Sequence, residues 1–254
     1  MSANNDNIST FTADLQGTIA MVTGASKGLG CRCAETLAQA GAHVIAVARS
    51  EAGLQELANQ YPELIEPWIA DVTSESFYQR FEALERLDVL VNNVGTNKPE
   101  PFLEVTPEDL DTVIDLNVKW AFRCAQSGAR VMAKSSNPGS IIHMSSQMGH
   151  VGSPNRTVYC ASKHAIEGLT KAMAVELAPI GIRVNSVAPT FIDTPLTRPM
   201  LEQPEFNRFV MERIPLGKLG ALQDVANAVL FLAAPASGMI TGHSLKVDGG
   251  WTAQ

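Results

Sequence analysis

The 254-residue chain is predicted to be a single α/β domain, a doubly wound parallel sheet with helices on both faces. Short segments that are apolar on nearly every residue alternate along the chain with amphipathic helical patterns, which is typical of such a sheet. No internal repeat or low-complexity linker divides the chain, and its length suits one α/β domain. We therefore expect a sheet of about seven strands in one Rossmann-type layer arrangement.

The strands and helices can be assigned in order along the chain. Predicted strands cover residues 19–23, 43–48, 65–70, 89–92, 140–145, 182–188 and 244–247. Predicted helices cover residues 28–40, 74–84, 107–133, 157–178 and 222–233, and a further helix begins after Ser50. Ser50 suits an N-cap because its hydroxyl can accept a backbone N–H bond, and Pro107 suits a first helical turn.

Two segments lie outside this alternation. Residues 1–14 are rich in Asn, Ser, Thr and Asp and lack the features of a signal peptide, so we expect a flexible tail before a domain over residues 15–254. Residues 189–215 form the one long irregular stretch, and long loops in compact domains are often lids. This segment is predicted to cover the substrate.

Composition limits the classes of partner. The net charge of −7 argues against nucleic acid or an anionic membrane surface, and no apolar stretch is long enough to span a bilayer. The five histidines and four cysteines show no ligand spacing, so no metal site is expected. These features predict a cytoplasmic protein that acts on a small molecule.

A glycine-rich turn, TGASKGLG over residues 23–30, lies between the first strand and the first helix. Glycines permit a tight turn and a close approach of pyrophosphate, while the helix N-terminus offers free N–H groups. The spacing is G-x-x-x-G-x-G, not G-x-G-x-x-G, so the strand–turn–helix context carries the prediction. The turn indicates a dinucleotide site.

The end of the second strand predicts which dinucleotide is bound. An acid there usually binds the ribose hydroxyls of NAD. Here the strand is followed by Arg49, and no carboxylate lies between the start of the strand and Glu51. Arg49 offers a planar fork suited to phosphate, and Lys27 could add a second charge. NADP(H) is therefore predicted in preference to NAD(H), the alternative being that both cations are solvated.

A tyrosine and a lysine carry the prediction of catalysis. Tyr159 and Lys163 are four residues apart on a predicted helix and therefore share a face. An ammonium beside a phenol lowers the pKa of the phenol, which would let Tyr159 move protons near neutral pH. Ser146 precedes the tyrosine by thirteen residues, and the adjacent Ser145 is the alternative hydroxyl.

Further motifs follow in a fixed order: Asn92-Asn93-Val94-Gly95 after the fourth strand, Asn117 in the long helix, and Val247-Asp248-Gly249-Gly250 near the C-terminus. With this ordered set the chain resembles the short-chain dehydrogenase/reductase family over nearly its whole length. Two residues depart from the pattern of that family, because Val94 replaces an alanine and Thr190 replaces a glycine. These departures place in doubt any substrate inferred from an average member.

The resemblance implies a role for each matched residue. Tyr159 would be the general acid/base, Lys163 would lower its pKa and hold the nicotinamide ribose, and Ser146 would bond the substrate oxygen. Asn117 would position a water in a proton relay, or else serve as a structural amide. The implied cofactor contacts are Gly24, Ser26, Lys27, Gly28, Leu29, Gly30, Arg49, Asp71, Val72, Asn93, Gly95, Tyr159, Lys163, Pro189, Thr190, Ile192 and Thr194. The implied substrate contacts are Ser146, Gln147, Met148, Tyr159 and Phe191.

The pattern is most similar to NADPH-dependent carbonyl and xylulose-type reductases. That similarity implies hydride transfer between NADP(H) and the carbonyl or secondary alcohol of a small ketone, dicarbonyl or sugar/polyol. A 3-oxoacyl-(acyl-carrier-protein) reductase is the first alternative, although residues 134–139 offer only one cation for an acidic carrier. A non-catalytic NADP(H)-binding sensor is the second. A homotetramer, or a homodimer, is implied by the resemblance.

Overall fold

The computed structural model describes residues 12–135, 138–194 and 197–254, and it confirms the predicted fold class. In these residues seven parallel strands form one sheet in the order β3-β2-β1-β4-β5-β6-β7. The strands are β1 Ile19–Thr23, β2 His43–Ala48, β3 Ile65–Ile69, β4 Val89–Asn92, β5 Gly139–Met144, β6 Ile182–Pro189 and β7 Ser244–Val247. Residues 1–11 of the predicted tail lie outside the described ranges.

Helices cover both faces of the sheet. They are α1 Gly28–Gln39, α2 Glu51–Gln60, α3 Glu75–Glu82, α4 Pro107–Ile114, α5 Ala121–Met132, α6 Thr157–Leu177, α7 Arg198–Leu201, α8 Pro204–Met211 and α9 Leu222–Ala233. Neighbouring residues of β1 face opposite cores, because side chains alternate along a strand. Ala20 and Val22 pack with α1, α2 and α9, whereas Met21 packs with α3 and α5. None of these helices is long and apolar enough to cross a membrane.

The structure differs from the sequence prediction in two segments. The helix predicted over residues 107–133 is α4, a π-helical segment at Asp115–Trp120, and α5. The stretch over residues 189–215, predicted to be irregular, contains α7 and α8, while Pro195 and Leu196 lie outside the described residues. Pro204 begins α8 and occupies its first helical turn, where its missing N–H has no partner to lose.

The order of the strands indicates where a ligand site would lie. β1 pairs with β2 on one side and with β4 on the other, so the direction of strand succession reverses between β1 and β4. Ligands of open parallel sheets bind in the crevice outside the carboxyl ends of the strands at such a reversal. The glycine turn follows β1 and the Asn-Asn-Val-Gly motif follows β4, so both motifs border this crevice.

Candidate active site

Three glycines shape the turn after β1. Gly24 and Gly28 have φ values of +71° and +60°, which side chains disfavour. A Cβ at Gly30 would lie 2.3 Å from the carbonyl oxygen of Gly24, so α1 can approach the turn only because that side chain is missing. A Cβ at Gly28 would have no atom within 4 Å, so its backbone borders open space.

The N-terminus of α1 has no capping side chain. Lys27 is the N-cap and makes no side-chain bond to the first turn, whereas Ser50, Ser74 and Thr106 each accept an N–H at the start of α2, α3 and α4. Free N–H groups and the positive end of the helix dipole form an anion site. The turn and the helix therefore fit the pyrophosphate of a dinucleotide.

Thr23 joins the two strand ends that flank the crevice. Its hydroxyl donates to the carbonyl of Val91 at 3.4 Å and accepts from the backbone N–H of Asn93 at 3.0 Å and of Val94 at 3.3 Å. The amide Nδ2 of Asn93 donates back to the carbonyl of Thr23 at 2.9 Å. The role of Thr23 is not visible in the sequence, because its partners are some 70 residues away and only strand pairing reveals them.

Arg49 follows the carboxyl end of β2, and Asp71 follows that of the neighbouring strand β3, so the two side chains lie close together. The Arg49 side chain is 81% exposed, and its Nη1 is 3.6 Å from Oδ2 of Asp71. Desolvation opposes ionisation of Asp71, but hydrogen bonds from Thr73 and the Arg49 guanidinium outweigh it and lower the pKa of the carboxyl. Ser74 caps α3, so Asp71 does not serve as the N-cap of that helix.

Tyr159 lies in the first turn of α6, facing Ser146 at the end of β5. Burial raises the pKa of the phenol to about 12, although a hydrogen bond with Ser146 acts in the opposite direction. Ser146 Oγ also donates to Gln147 Oε1 at 2.7 Å and accepts from the N–H of Met148 at 3.1 Å. The structure thus places the predicted serine, and two predicted substrate residues, beside the tyrosine.

Lys163 is buried on the next turn of α6. Its Nζ donates to the carbonyl of Met144 at 2.8 Å and lies 5.5 Å from the ring centroid of Tyr159. Burial lowers the pKa of this ammonium to about 8, while the nearby Glu167 carboxylate raises it. The pKa of Tyr159 is raised, not lowered as the sequence predicts, because loss of solvent penalises the phenolate more than the serine hydrogen bond favours it.

Asn117 lies in the π-helical segment, a helix type that often marks functional sites. Its Oδ1 accepts from the N–H of Thr96 at 2.7 Å, and its Nδ2 donates to the carbonyl of Thr96 at 2.8 Å and to Ser162 Oγ at 3.0 Å. Ser162 Oγ in turn donates to the carbonyl of Tyr159 at 2.8 Å. The Asn117 side chain therefore holds the loop after β4 against α6, the structural role kept as an alternative above.

The other predicted residues lie along the same edge of the sheet. A Cβ at Gly95 would lie 3.1 Å from Asn117 Oδ1 and 3.7 Å from Lys163 Nζ, so this position closely borders both residues. The remaining predicted cofactor residues are Ser26 before α1, Leu29 in its first turn, Val72 after β3, Pro189 at the end of β6, and Thr190, Ile192 and Thr194 beyond it.

Two predicted site residues, Gln147 on the substrate side and Thr190 on the cofactor side, each bury a polar atom without a partner in the described residues. Gln147 is 2% exposed, and its Nε2 has no hydrogen-bond partner in the described part of the chain. The same holds for Oγ1 of Thr190, which is 9% exposed. Phe191 packs differently, since its ring lies 5.5 Å from Phe206 and 5.8 Å from Trp251 in an apolar cluster that includes α8.

The fold and this arrangement define a short-chain dehydrogenase/reductase, and comparison with known proteins confirms that the chain belongs to that family. The family model described as enoyl-(acyl carrier protein) reductase matches residues 24–252. The resemblance found from the sequence motifs is thereby confirmed, and the chain is an oxidoreductase that acts on CH–OH or C=O groups.

Individual relatives cover nearly the whole chain. L-xylulose reductase of Mus musculus is 40% identical over 240 residues, which span 94% of this chain and 98% of the relative. A 3-oxoacyl-[acyl-carrier-protein] reductase of Thermotoga maritima is 39% identical over 246 residues, covering 93% and 98% of the two chains. Among solved structures, a gluconate 5-dehydrogenase of Burkholderia cenocepacia in complex with NADP and tartrate superimposes with a TM-score of 0.89 at 31% identity, covering 95% of this chain and 97% of the other.

Proposed function

We propose that the protein transfers a hydride between NADP(H) and the carbonyl or secondary alcohol of a sugar, polyol or other small ketone or dicarbonyl, with Tyr159 as general acid/base. The observation that carries the proposal is the grouping of Tyr159, Ser146 and Lys163 on the same edge of the sheet as the glycine turn. The similarity to L-xylulose reductase supports a sugar or polyol as the substrate class.

The residues divide the work of carbonyl reduction. The bound nicotinamide supplies the hydride that the carbonyl carbon takes up. As negative charge grows on the carbonyl oxygen, the hydroxyls of Ser146 and Tyr159 donate hydrogen bonds to it, and Tyr159 then gives the oxygen its proton. Because the pKa of Tyr159 is raised to about 12, the phenol is protonated at neutral pH and ready to act as the acid.

Lys163 and Asn117 support the proton donor. Lys163 holds the nicotinamide ribose, and its ammonium stands near the phenolate that Tyr159 becomes after proton transfer. Asn117 fixes the loop after β4, and its segment of π-helix is where we place the water that returns a proton to Tyr159. Glycine at position 95 keeps this region open to the cofactor, since a side chain there would crowd Asn117.

Unpaired polar atoms favour a hydroxylated substrate. A buried donor without a partner costs about 1–3 kcal/mol, and Nε2 of Gln147 is such a donor beside Ser146. A sugar or polyol carries hydroxyls on both sides of the reacting carbon that can pair with it, whereas a 3-oxoacyl thioester offers an acceptor, its thioester carbonyl, on one side only. The 3-oxoacyl reductase is the second candidate because of the Thermotoga maritima relative. Higher kcat/KM with a 3-oxoacyl thioester than with a ketose would favour it.

The Tyr159→Phe variant tests the mechanism, because it removes only the phenolic oxygen. We expect carbonyl reduction to fall at least about 10³-fold while NADPH binding, measured by fluorescence titration, persists. Tyr61→Phe is the matched control, since its hydroxyl only accepts a bond from Gln39 on an exposed surface. Unchanged turnover in Tyr159→Phe would refute the mechanism, and a wild type inert to all carbonyls would favour the non-catalytic sensor.

NADP(H) is proposed over NAD(H) because Arg49 presents an exposed guanidinium at the end of β2, where a ribose phosphate would lie. A charged hydrogen bond contributes about 1.5–3 kcal/mol, so Arg49→Ala should lower the NADPH/NADH ratio of kcat/KM by about 10- to 100-fold. Arg32→Ala is the control, because Arg32 pairs with Glu35 on the surface of α1. A wild-type preference for NADH would contradict the proposal.

We also infer that the protein acts in the cytoplasm as a homotetramer, with a homodimer as the alternative. The assembly is supported by one face of α6, on which four small residues are exposed: Ala161, Ala165, Gly168 and Ala172. Small residues spaced three and four apart let two helix backbones approach closely. A second copy of the chain would cover this face.

A further inference from the structure

A buried arginine without an anionic partner lies beside the catalytic tyrosine. Arg156 is 7% exposed, yet its guanidinium forms no ion pair with any carboxylate in the described ranges. Its Nη1 donates to the carbonyl of Asn155 at 3.0 Å, and its Nη2 lies 3.9 Å from the sulfur of Met200. Burying a charge that is only partly bonded is costly, so a partner is expected.

The surroundings of this guanidinium belong to the active site. Arg156 is the N-cap of α6 and precedes Tyr159 by three residues, so the two lie on neighbouring positions of one turn. Burial lowers the pKa of the guanidinium, and Cys160 and Tyr159, the neighbouring groups that act on its charge, are both neutral near pH 7. Met200 belongs to α7, so the arginine lies between the catalytic helix and the segment predicted to cover the substrate.

The backbone next to Arg156 is strained. Asn155 has φ of +58°, a value found at no other non-glycine residue in the part of the chain that the structure describes. This conformation directs the Asn155 carbonyl toward Arg156 and lets it accept from the N–H of Glu100 at 3.1 Å. Strained residues persist where the surrounding structure holds them, and they cluster at ligand-binding sites.

We propose that Arg156 binds a carboxylate of the substrate, so that the natural substrate is a small hydroxy or keto acid, such as a sugar acid, and not a neutral sugar. The proposal rests on the proposed function, because it names the substrate class of the same site. The planar fork of arginine matches a carboxylate, and the uncapped N-terminus of α6 adds its positive dipole end.

Charge and distance narrow the class of acid. A single buried guanidinium balances one negative charge, so a carboxylate is favoured over a phosphate dianion, which would leave a buried charge unpaired. Because Arg156 and Tyr159 are one helical turn apart, the carboxylate and the reacting carbon belong to one short chain. The hydroxyls between them would meet the unpaired Nε2 of Gln147.

Turnover of D-gluconate and of D-glucitol with NADP tests the inference, because these six-carbon compounds differ in whether one end is a carboxylate. We expect the wild type to prefer gluconate in kcat/KM. Arg156→Met should lower the gluconate/glucitol ratio at least 30-fold, and Arg156→Lys should lower it less. Arg208→Met is the matched control, since Arg208 is exposed on α8. A ratio unchanged by Arg156→Met, or a wild-type preference for glucitol, would overturn the inference.

A binding measurement covers the case in which Arg156→Met fails to fold. Calorimetry on the wild-type NADPH complex should show gluconate binding at least tenfold more tightly than glucitol, whereas equal affinities would overturn the carboxylate assignment. Failure of the proposed function would look different. In that case the wild type would turn over neither compound and no ketone, or Tyr159→Phe would remain active, whatever the calorimetry showed.

Discussion

Ser145 and Ser146 are adjacent and both buried, but their hydroxyls have different surroundings. Ser146 Oγ bonds Gln147 and the N–H of Met148, and its hydrogen bond with Tyr159 lowers the pKa of the phenol. Ser145 Oγ has no hydrogen-bond partner within the described residues and lies against the 3₁₀ turn at Gly149. Sequence spacing favoured Ser146 over Ser145 without excluding either, and the geometry supports the same choice.

Replacing each serine with alanine separates the two roles. Ser146→Ala should lower kcat/KM by about 10²–10³-fold, the usual effect of removing one donor to a developing oxyanion, whereas Ser145→Ala should change it only a few-fold.

Alcohol oxidation needs the phenolate, whose fraction rises tenfold per pH unit below the raised pKa of Tyr159. Initial rates of oxidation should therefore increase with pH. Ser146→Ala should move this rise in rate to higher pH, because it removes the hydrogen bond that lowers the pKa of Tyr159. A larger loss in Ser145→Ala would reverse the assignment.

Among the elements, the strands were the most predictable. All seven fall within one residue of the predicted bounds, because strands covered on both faces are apolar on nearly every residue and the pattern has clear ends. The helices α7 and α8 were missed, since they have only four and eight residues and so show little helical periodicity. The π-helical register at Asn117 was also missed, because it accompanies bonds to Thr96, a contact between separate parts of the chain.

The residues of the site also divide into those that the sequence could predict and those that it could not. Residues in local motifs, such as the glycine turn and the Tyr159/Lys163 pair, could be predicted because their spacing alone gives them a shared location. Ser162 and Glu167 could not, because their importance comes from partners on other strands and loops, and for Arg156 the sequence did not reveal that its charge is buried. A buried charge is recognised only when burial itself is known.

Glu167 joins three elements behind the catalytic residues. It is 5% exposed on α6, and its carboxylate accepts from Ser186 Oγ on β6 at 2.9 and 3.1 Å and from Ser244 Oγ on β7 at 3.1 Å. His150 Nε2, after the turn that begins at Ser146, lies 3.4 Å from the same carboxylate. Glu167 therefore holds the helix of Tyr159 and the turn of Ser146 against the sheet.

Glu167→Gln should destabilise the fold, since the amide keeps the size of the side chain but loses the charge and one acceptor oxygen. Because bonds to charged groups contribute about 1.5–3 kcal/mol, we expect a loss of about 2–3 kcal/mol in the free energy of unfolding, measured in urea. Thr170→Val is the control on the same helix, since the Thr170 hydroxyl bonds only the carbonyl of Ile166 and its loss should cost less than about 1 kcal/mol. Equal losses in the two variants would show that Glu167 has no such role.

At the scale of the whole molecule, the predicted site residues lie along one edge of the sheet, and the two faces of the long helix α6 belong to different surfaces. The carboxyl ends of the strands carry the glycine turn, Ser146 and the residues after β6, so the predicted cofactor and substrate contacts share one edge of the sheet. α6 presents Tyr159 and Lys163 inward, while its opposite face presents small residues to solvent. Assembly through that outer face would fix the helix that positions the proton donor.

The exposed face of α6 gives the prediction for the assembled protein. A Cβ at Gly168 would meet no atom within 4 Å, and Val175 is 80% exposed, so this face is open and apolar in the single chain. In a homotetramer Ala172→Arg would place a long charged side chain where two helices approach closely, so the molar mass measured by light scattering should fall from about four times to about twice or once that of the chain. Ala52→Arg, an equally exposed alanine on α2, should leave the mass unchanged. A tetramer in both variants would exclude α6 as the contact, and a monomeric wild type would exclude the assembly itself.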